Sequence, residues 1–98
     1  MSVDRELSTT DDLAFAACCL YAFGEGSLRM IDSSGRLAVF SFRVESEDFA
    51  ILRSEFDTDT LAVQVFTYCK LFAKLSRLVR VARNNNNQWV SQQGRDGQ

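Results

Sequence analysis

From Leu13 to Phe23 every residue is apolar, a run of eleven that reads LAFAACCLYAF. Crossing a bilayer takes about 17–25 residues, so the run predicts a core helix rather than a membrane span. A helix without a polar stripe must be covered on more than one side. A chain of 98 residues supports one core, because at this size only roughly 60–65% of the unfolded surface is buried on folding. The helix therefore lies beneath two layers of its own chain, or a second subunit covers it.

The flanks of the run agree with a helix. Thr9, followed three residues later by Asp12, resembles a capping box with an acid in place of the usual Glu or Gln, and Asp11 and Asp12 suit the positive end of a helix. Gly24 and Gly26 then supply left-handed backbone that stops the helix and turns the chain. Ahead of it, Val3–Leu7 is predicted to be a short strand ended by Ser8-Thr9-Thr10. After it, Leu28–Ile31 and Leu37–Val44 are β-prone runs joined by Asp32-Ser33-Ser34-Gly35, which predicts a hairpin with Gly35 at positive φ. Ala38, Phe40, Phe42 and Val44 alternate toward the core, while Leu37 and Val39 are expected to be partly covered.

Glu45-Ser46-Glu47-Asp48 leads into Phe49, Leu52 and Phe56 at i, i+3 and i+7, a short helix over about 47–56. Asp57-Thr58-Asp59-Thr60 offers a further cap, and no Gly or Pro interrupts Leu61–Arg83, the longest element. Along it Leu61, Val65, Tyr68, Phe72, Leu75, Val79 and Ala82 alternate spacings of four and three. That stripe suits a core-facing helix or helix–helix pairing. The expected architecture is α+β: a small antiparallel sheet, made of the N-terminal strand plus the β-hairpin, packed on two main helices near 11–23 and 60–83, with a short additional helix. Residues 1–83 form one domain, and 84–98 form a polar Asn/Gln-rich tail in which Trp89 and Val90 are an apolar pair.

Catalysis has little to draw on. The chain contains no histidine, which removes the commonest general base and any Ser-His or Cys-His nucleophile. Neither GxGxxG nor GxxxxGK[ST] occurs, and Gly24-Glu25-Gly26 is too short to cradle a phosphate. Cys18, Cys19 and Cys69 are three thiols without a CxxC pair, read as small buried hydrophobes rather than metal ligands. No catalytic residue, cofactor, metal or small-molecule ligand is expected. Met1–Thr10 lacks the features of a secretory signal, so a cytoplasmic protein is expected, or one made in a host's cytoplasm, without a membrane partner.

Charge points to surfaces instead. Residues 1–59 hold 12 of the 13 acidic side chains against five basic ones, whereas 60–98 hold six basic side chains and one acid, Asp96. Lys70, Lys74 and Arg77, spaced four and three, are predicted to share the helix face opposite Phe72 and Leu75, with Arg80 and Arg83 continuing the stripe. Such a stripe serves as a solvated face, a site for an acidic protein surface, or a phosphate-binding surface for nucleic acid. The acidic patches Asp11/Asp12, Glu45/Glu47/Asp48 and Asp57/Asp59 make self-association possible: the acidic half of one copy meets the basic helix of another, giving head-to-tail assembly. Candidate partner-binding residues are Lys70, Lys74, Arg77 and Arg80, with Trp89 anchoring the tail.

Ser8-Thr9-Thr10-Asp11-Asp12-Leu13-Ala14-Phe15-Ala16-Ala17, then Gly24, the hairpin ending Val39-Phe40-Ser41-Phe42, an acidic linker and a Lys-containing last helix resemble a set of short bacteriophage and bacterial proteins of unknown function. These share a T-x-D-L-x-x-A-A helix start, and the likeness spans about residues 6–79. The resemblance implies a phage or mobile-element setting and a small α+β fold, with no activity or site residues to transfer. The Gly-Glu-Gly turn, where one glycine is usual, and the Asn-rich tail depart from it. The expected function is that of a non-enzymatic phage or prophage accessory protein acting by protein–protein binding or self-assembly. The alternatives are a nucleic-acid-binding regulator using the basic helix and an inhibitor of a host defence protein.

Overall fold

A computed structural model describes residues 7–91. The fold is α+β: strands β1 (Ser8–Thr10), β2 (Leu28–Asp32), β3 (Val39–Phe42) and β4 (Gln88–Val90), with helices α1 (Leu13–Phe23), α2 (Ser46–Asp57) and α3 (Val65–Asn84). The four strands form one antiparallel sheet in the order β1-β3-β2-β4.

The apolar run is the centre of the molecule. Phe15, Ala16, Ala17, Cys18, Cys19 and Leu20 are all buried, six in a row, so solvent reaches no side of α1 along that stretch. Of the two ways to cover such a helix, the chain uses its own layers. Leu28, Ile31, Phe40 and Phe42 of the sheet join α1 in a core that also takes Leu52 from α2 and Leu75 and Ala82 from α3. Small side chains at 16–19 let neighbours approach closely, while Phe15 meets Phe49 and Phe56 with ring centroids 5.3 Å away in each case.

The cap of α1 is Asp12 rather than Thr9: its Oδ1 accepts from the Phe15 amide at 3.2 Å, and Thr10 Oγ1 accepts from the Asp12 amide at 3.1 Å. Thr9 cannot serve, because 8–10 is strand β1, paired with β3. The expected strand at Val3–Leu7 lies outside the described residues except for Leu7, which is not in a strand. Gly24 ends α1 at φ 91°, but Gly26 sits in a 3₁₀ turn (Glu25–Ser27) and takes no positive φ.

The hairpin of β2 and β3 forms as expected, yet Gly35 does not supply its turn by positive φ. The Asp32 carboxylate does part of that work, accepting from the Ser34 amide at 3.0 Å and the Ser34 hydroxyl at 2.7 Å. Those bonds, the amide's first, hold the Asp32 carboxyl below its ordinary pKa. A register shift between Leu28 and Met30 explains how Leu28 and Ile31, three apart, both reach the core: one extra residue converts an odd spacing into a same-face pair. Leu37 and Val39, expected to be partly covered, are exposed.

The segment Asp57-Thr58-Asp59-Thr60 does not start α3; it terminates α2. The Thr58 hydroxyl donates to the Ser54 carbonyl at 2.8 Å and Asp59 takes φ 61°. A Thr hydroxyl can accept from an amide at a helix start or donate to a carbonyl at a helix end, and Asp can cap a start or take the positive φ of a stop, so composition alone does not choose between the two. The last helix consequently begins at Val65, not near 60, with Leu61 packing on the core from outside the helix. From Tyr68 onward the stripe Tyr68, Phe72, Leu75, Val79, Ala82 faces the core, while Val65 is exposed.

Part of the predicted tail is built into the sheet. Asn86 and Asn87 take φ 61° and 64°, a conformation asparagine tolerates better than most residues, and turn the chain straight from α3 into β4. There Trp89 pairs with Ile31 in register and packs on the core. Backbone pairing with β2 and the Trp89 side chain together offset the ordering entropy that a polar composition suggests would win.

Candidate functional site

The exposed face of α3 follows from the helical repeat. At about 100° per residue, Phe66, Lys70, Ala73, Arg77, Arg80 and Val81 fall on one stripe opposite Leu75 and Ala82, and all six are exposed. Val65 and Phe66 are 73% and 75% exposed, the most open of the large apolar side chains. Lys70 Nζ lies 5.1 Å from the centroid of the Phe66 ring, a cation–π contact at the head of the stripe.

The five residues singled out from sequence are not brought together. Lys74 leaves the stripe: it sits at the stripe's edge, half-buried, with its ammonium paired to the Glu25 carboxylate. Trp89 belongs with it, since Lys74, Glu25, Leu78 and Trp89 border one small cavity of about 240 Å³. Trp89 is thus a half-buried sheet residue packed against the core, where it holds 88–90 to the sheet. Arg80 turns to the other flank, where it borders a second cavity of about 370 Å³ with Arg36, Arg83 and Asp11. Lys70 and Arg77 remain on the open face, and neither has a described carboxylate within 4.0 Å.

A complementary surface lies on α2. Phe49, Leu52 and Phe56 turn inward, which leaves Glu47, Ile51 and Glu55 at i, i+4 and i+8 as an exposed stripe. Ile51 is 53% exposed between two acids. Neither Glu47 nor Glu55 has a described cation within 4.0 Å. The spacing of this stripe is present in the sequence, but Glu47 reads there as part of the acidic entry to the helix and Glu55, near the helix end, carries no signal of its own.

No family model matches the chain, and no curated protein and no solved structure matches it either. Among the described residues, no group of three or more Cys, Asp or Glu side chains stands where it could hold a metal ion. No described helix is long and apolar enough to cross a membrane.

Proposed function

We propose that this is a non-enzymatic binding protein that self-associates head to tail, the outer face of α3 in one copy docking on the outer face of α2 in the next. The observation that supports this most is the match of the two stripes: an exposed aromatic flanked by unpaired cations, Phe66 with Lys70 and Arg77, against an exposed aliphatic flanked by unpaired acids, Ile51 with Glu47 and Glu55. Apolar anchors desolvated at the centre of an interface supply most of its affinity, while charges at the rim set register and partner choice. Because the two stripes are different surfaces, the contact is heterologous and generates rings or filaments rather than closed two-fold dimers. The setting is the phage or prophage one that the sequence resemblance implies.

The second reading is nucleic-acid binding, favoured by the unpaired Lys70, Arg77 and Arg80 on one helix. Sedimentation velocity from low to high salt, with and without duplex DNA, separates the two. Self-association predicts larger species without DNA that shrink as salt rises and vanish in Phe66→Glu. A monomer at low salt that sediments faster only with DNA favours the second reading.

A further inference from the structure

We propose that the cavity on the other flank of α3 is a binding site for a small organic phosphate, a phosphomonoester on an apolar body. The hairpin turn brings Arg36 to it and the last two turns of α3 bring Arg80 and Arg83, residues more than forty positions apart in sequence. Three guanidiniums and one carboxylate, Asp11, border the space, a balance of +3 − 1 = +2. None of the three arginines has a described carboxylate within 4.0 Å. Three like charges around one carboxylate leave a net repulsion, and a dianion relieves it. A phosphomonoester carries about −1.5 to −2 at neutral pH, which matches the excess. It also has three terminal oxygens for guanidinium forks, where a carboxylate has two.

The rest of the lining selects for a body on that phosphate. Leu13, Leu37, Phe40 and Val79 supply apolar wall, and Leu37 is 60% exposed although it borders the cavity. At about 370 Å³ the space falls within the range of small-molecule sites, roughly 300–1,000 Å³, whereas a bare phosphate would leave most of it empty. This site is separate from the α3–α2 contact proposed above: Arg36 and Arg83 lie off the Phe66–Arg77 stripe.

The test is isothermal titration of the full chain with phenyl phosphate, inorganic phosphate and phenol in low salt, repeated with R36Q/R83Q and with R43Q, a change at an exposed arginine outside the cavity lining. Phenyl phosphate is expected to bind saturably, one per chain, at least about tenfold more tightly than inorganic phosphate or phenol. R36Q/R83Q is expected to weaken it by at least about tenfold, as loss of charge-assisted bonds does, and R43Q to leave it unchanged. In the unaltered protein, amide shifts on titration are expected at Leu37, Ala38, Ser76 and Arg83, a readout independent of whether the double variant folds. No saturable binding of phenyl phosphate at millimolar concentration, equal binding of inorganic phosphate, or shifts lying elsewhere would overturn the proposal.

Discussion

The phenolic hydroxyl of Tyr68 donates to the backbone carbonyl of Ala14 at 3.0 Å, fastening the first turn of α3 to the first turn of α1. A second tyrosine works in the opposite sense, with the Gln64 amide donating to Tyr21 Oη at 3.1 Å just ahead of α3. These bonds hold the start of a helix that has no side-chain cap of its own. Tyr68→Phe keeps the packing and removes one bond, so it is expected to lower unfolding free energy by about 0.5–1.5 kcal/mol. Urea denaturation should show a lower midpoint at unchanged slope.

Arg53 joins α2 to the entrance of α1. Its guanidinium lies 4.8 Å from the Phe15 ring centroid and 5.4 Å from that of Phe56, while pairing with Asp12 at 3.6 Å and Asp57 at 3.2 Å. The carboxylate contacts are partly exposed and weak, whereas stacking on two rings uses the flat, poorly hydrated guanidinium. Arg53→Lys is expected to lose about 1 kcal/mol, most of it retained in high salt. A loss abolished by salt would assign the role to the ion pairs.

The three thiols divide by position. Cys69 is exposed, whereas Cys18 and Cys19 are buried. Burial, and then the neighbouring Cys18, pushes the Cys19 thiol up to about 12 despite Arg53 nearby. Burial, and then Asp12, raises Cys18 as well. An aromatic disulfide reagent is expected to modify one thiol per native chain and three after denaturation. For a raised pKa the stability is full below the unfolded value and is lost as pH climbs toward the folded one. Unfolding free energy should therefore decline from about pH 9 toward about pH 12, and Cys19→Ala should flatten that decline.

Trp89 is the chain's single tryptophan, half-buried between β2 and α3. Trp89→Ala removes the principal apolar contact of β4 and is expected to cost about 2–3 kcal/mol, below the full-burial range. Hydrogen exchange should report early opening of 88–90 in the variant while amides of α1 remain protected.

Periodicity explains what the sequence could tell and what it could not. Eleven apolar residues in a row demanded cover on more than one side, though not whether by the chain's own layers, and Phe40 and Phe42 alternated as a core strand must. Asp57-Thr58-Asp59-Thr60 had two readings, because the same side chains cap a helix start or close a helix end, and the fold chose the latter. The Asn-rich segment looked like tail because composition ignores Trp89 pairing with Ile31 and the two asparagines at positive φ. The basic stripe read as one surface only while α3 was considered alone. Glu25 draws Lys74 aside, and the Arg36 turn gives Arg80 a second set of neighbours, both through contacts distant in sequence.

Charge reversal tests the α3–α2 contact most directly. K70E/R77E makes both stripes acidic, and E47K/E55K makes both basic, so each variant alone should sediment as a monomer at low salt. Mixed in equal amounts, they restore both opposite-charge contacts and should assemble to species as large as those of the unaltered protein. A mixture that stays monomeric, or a single variant that still assembles, would contradict the account.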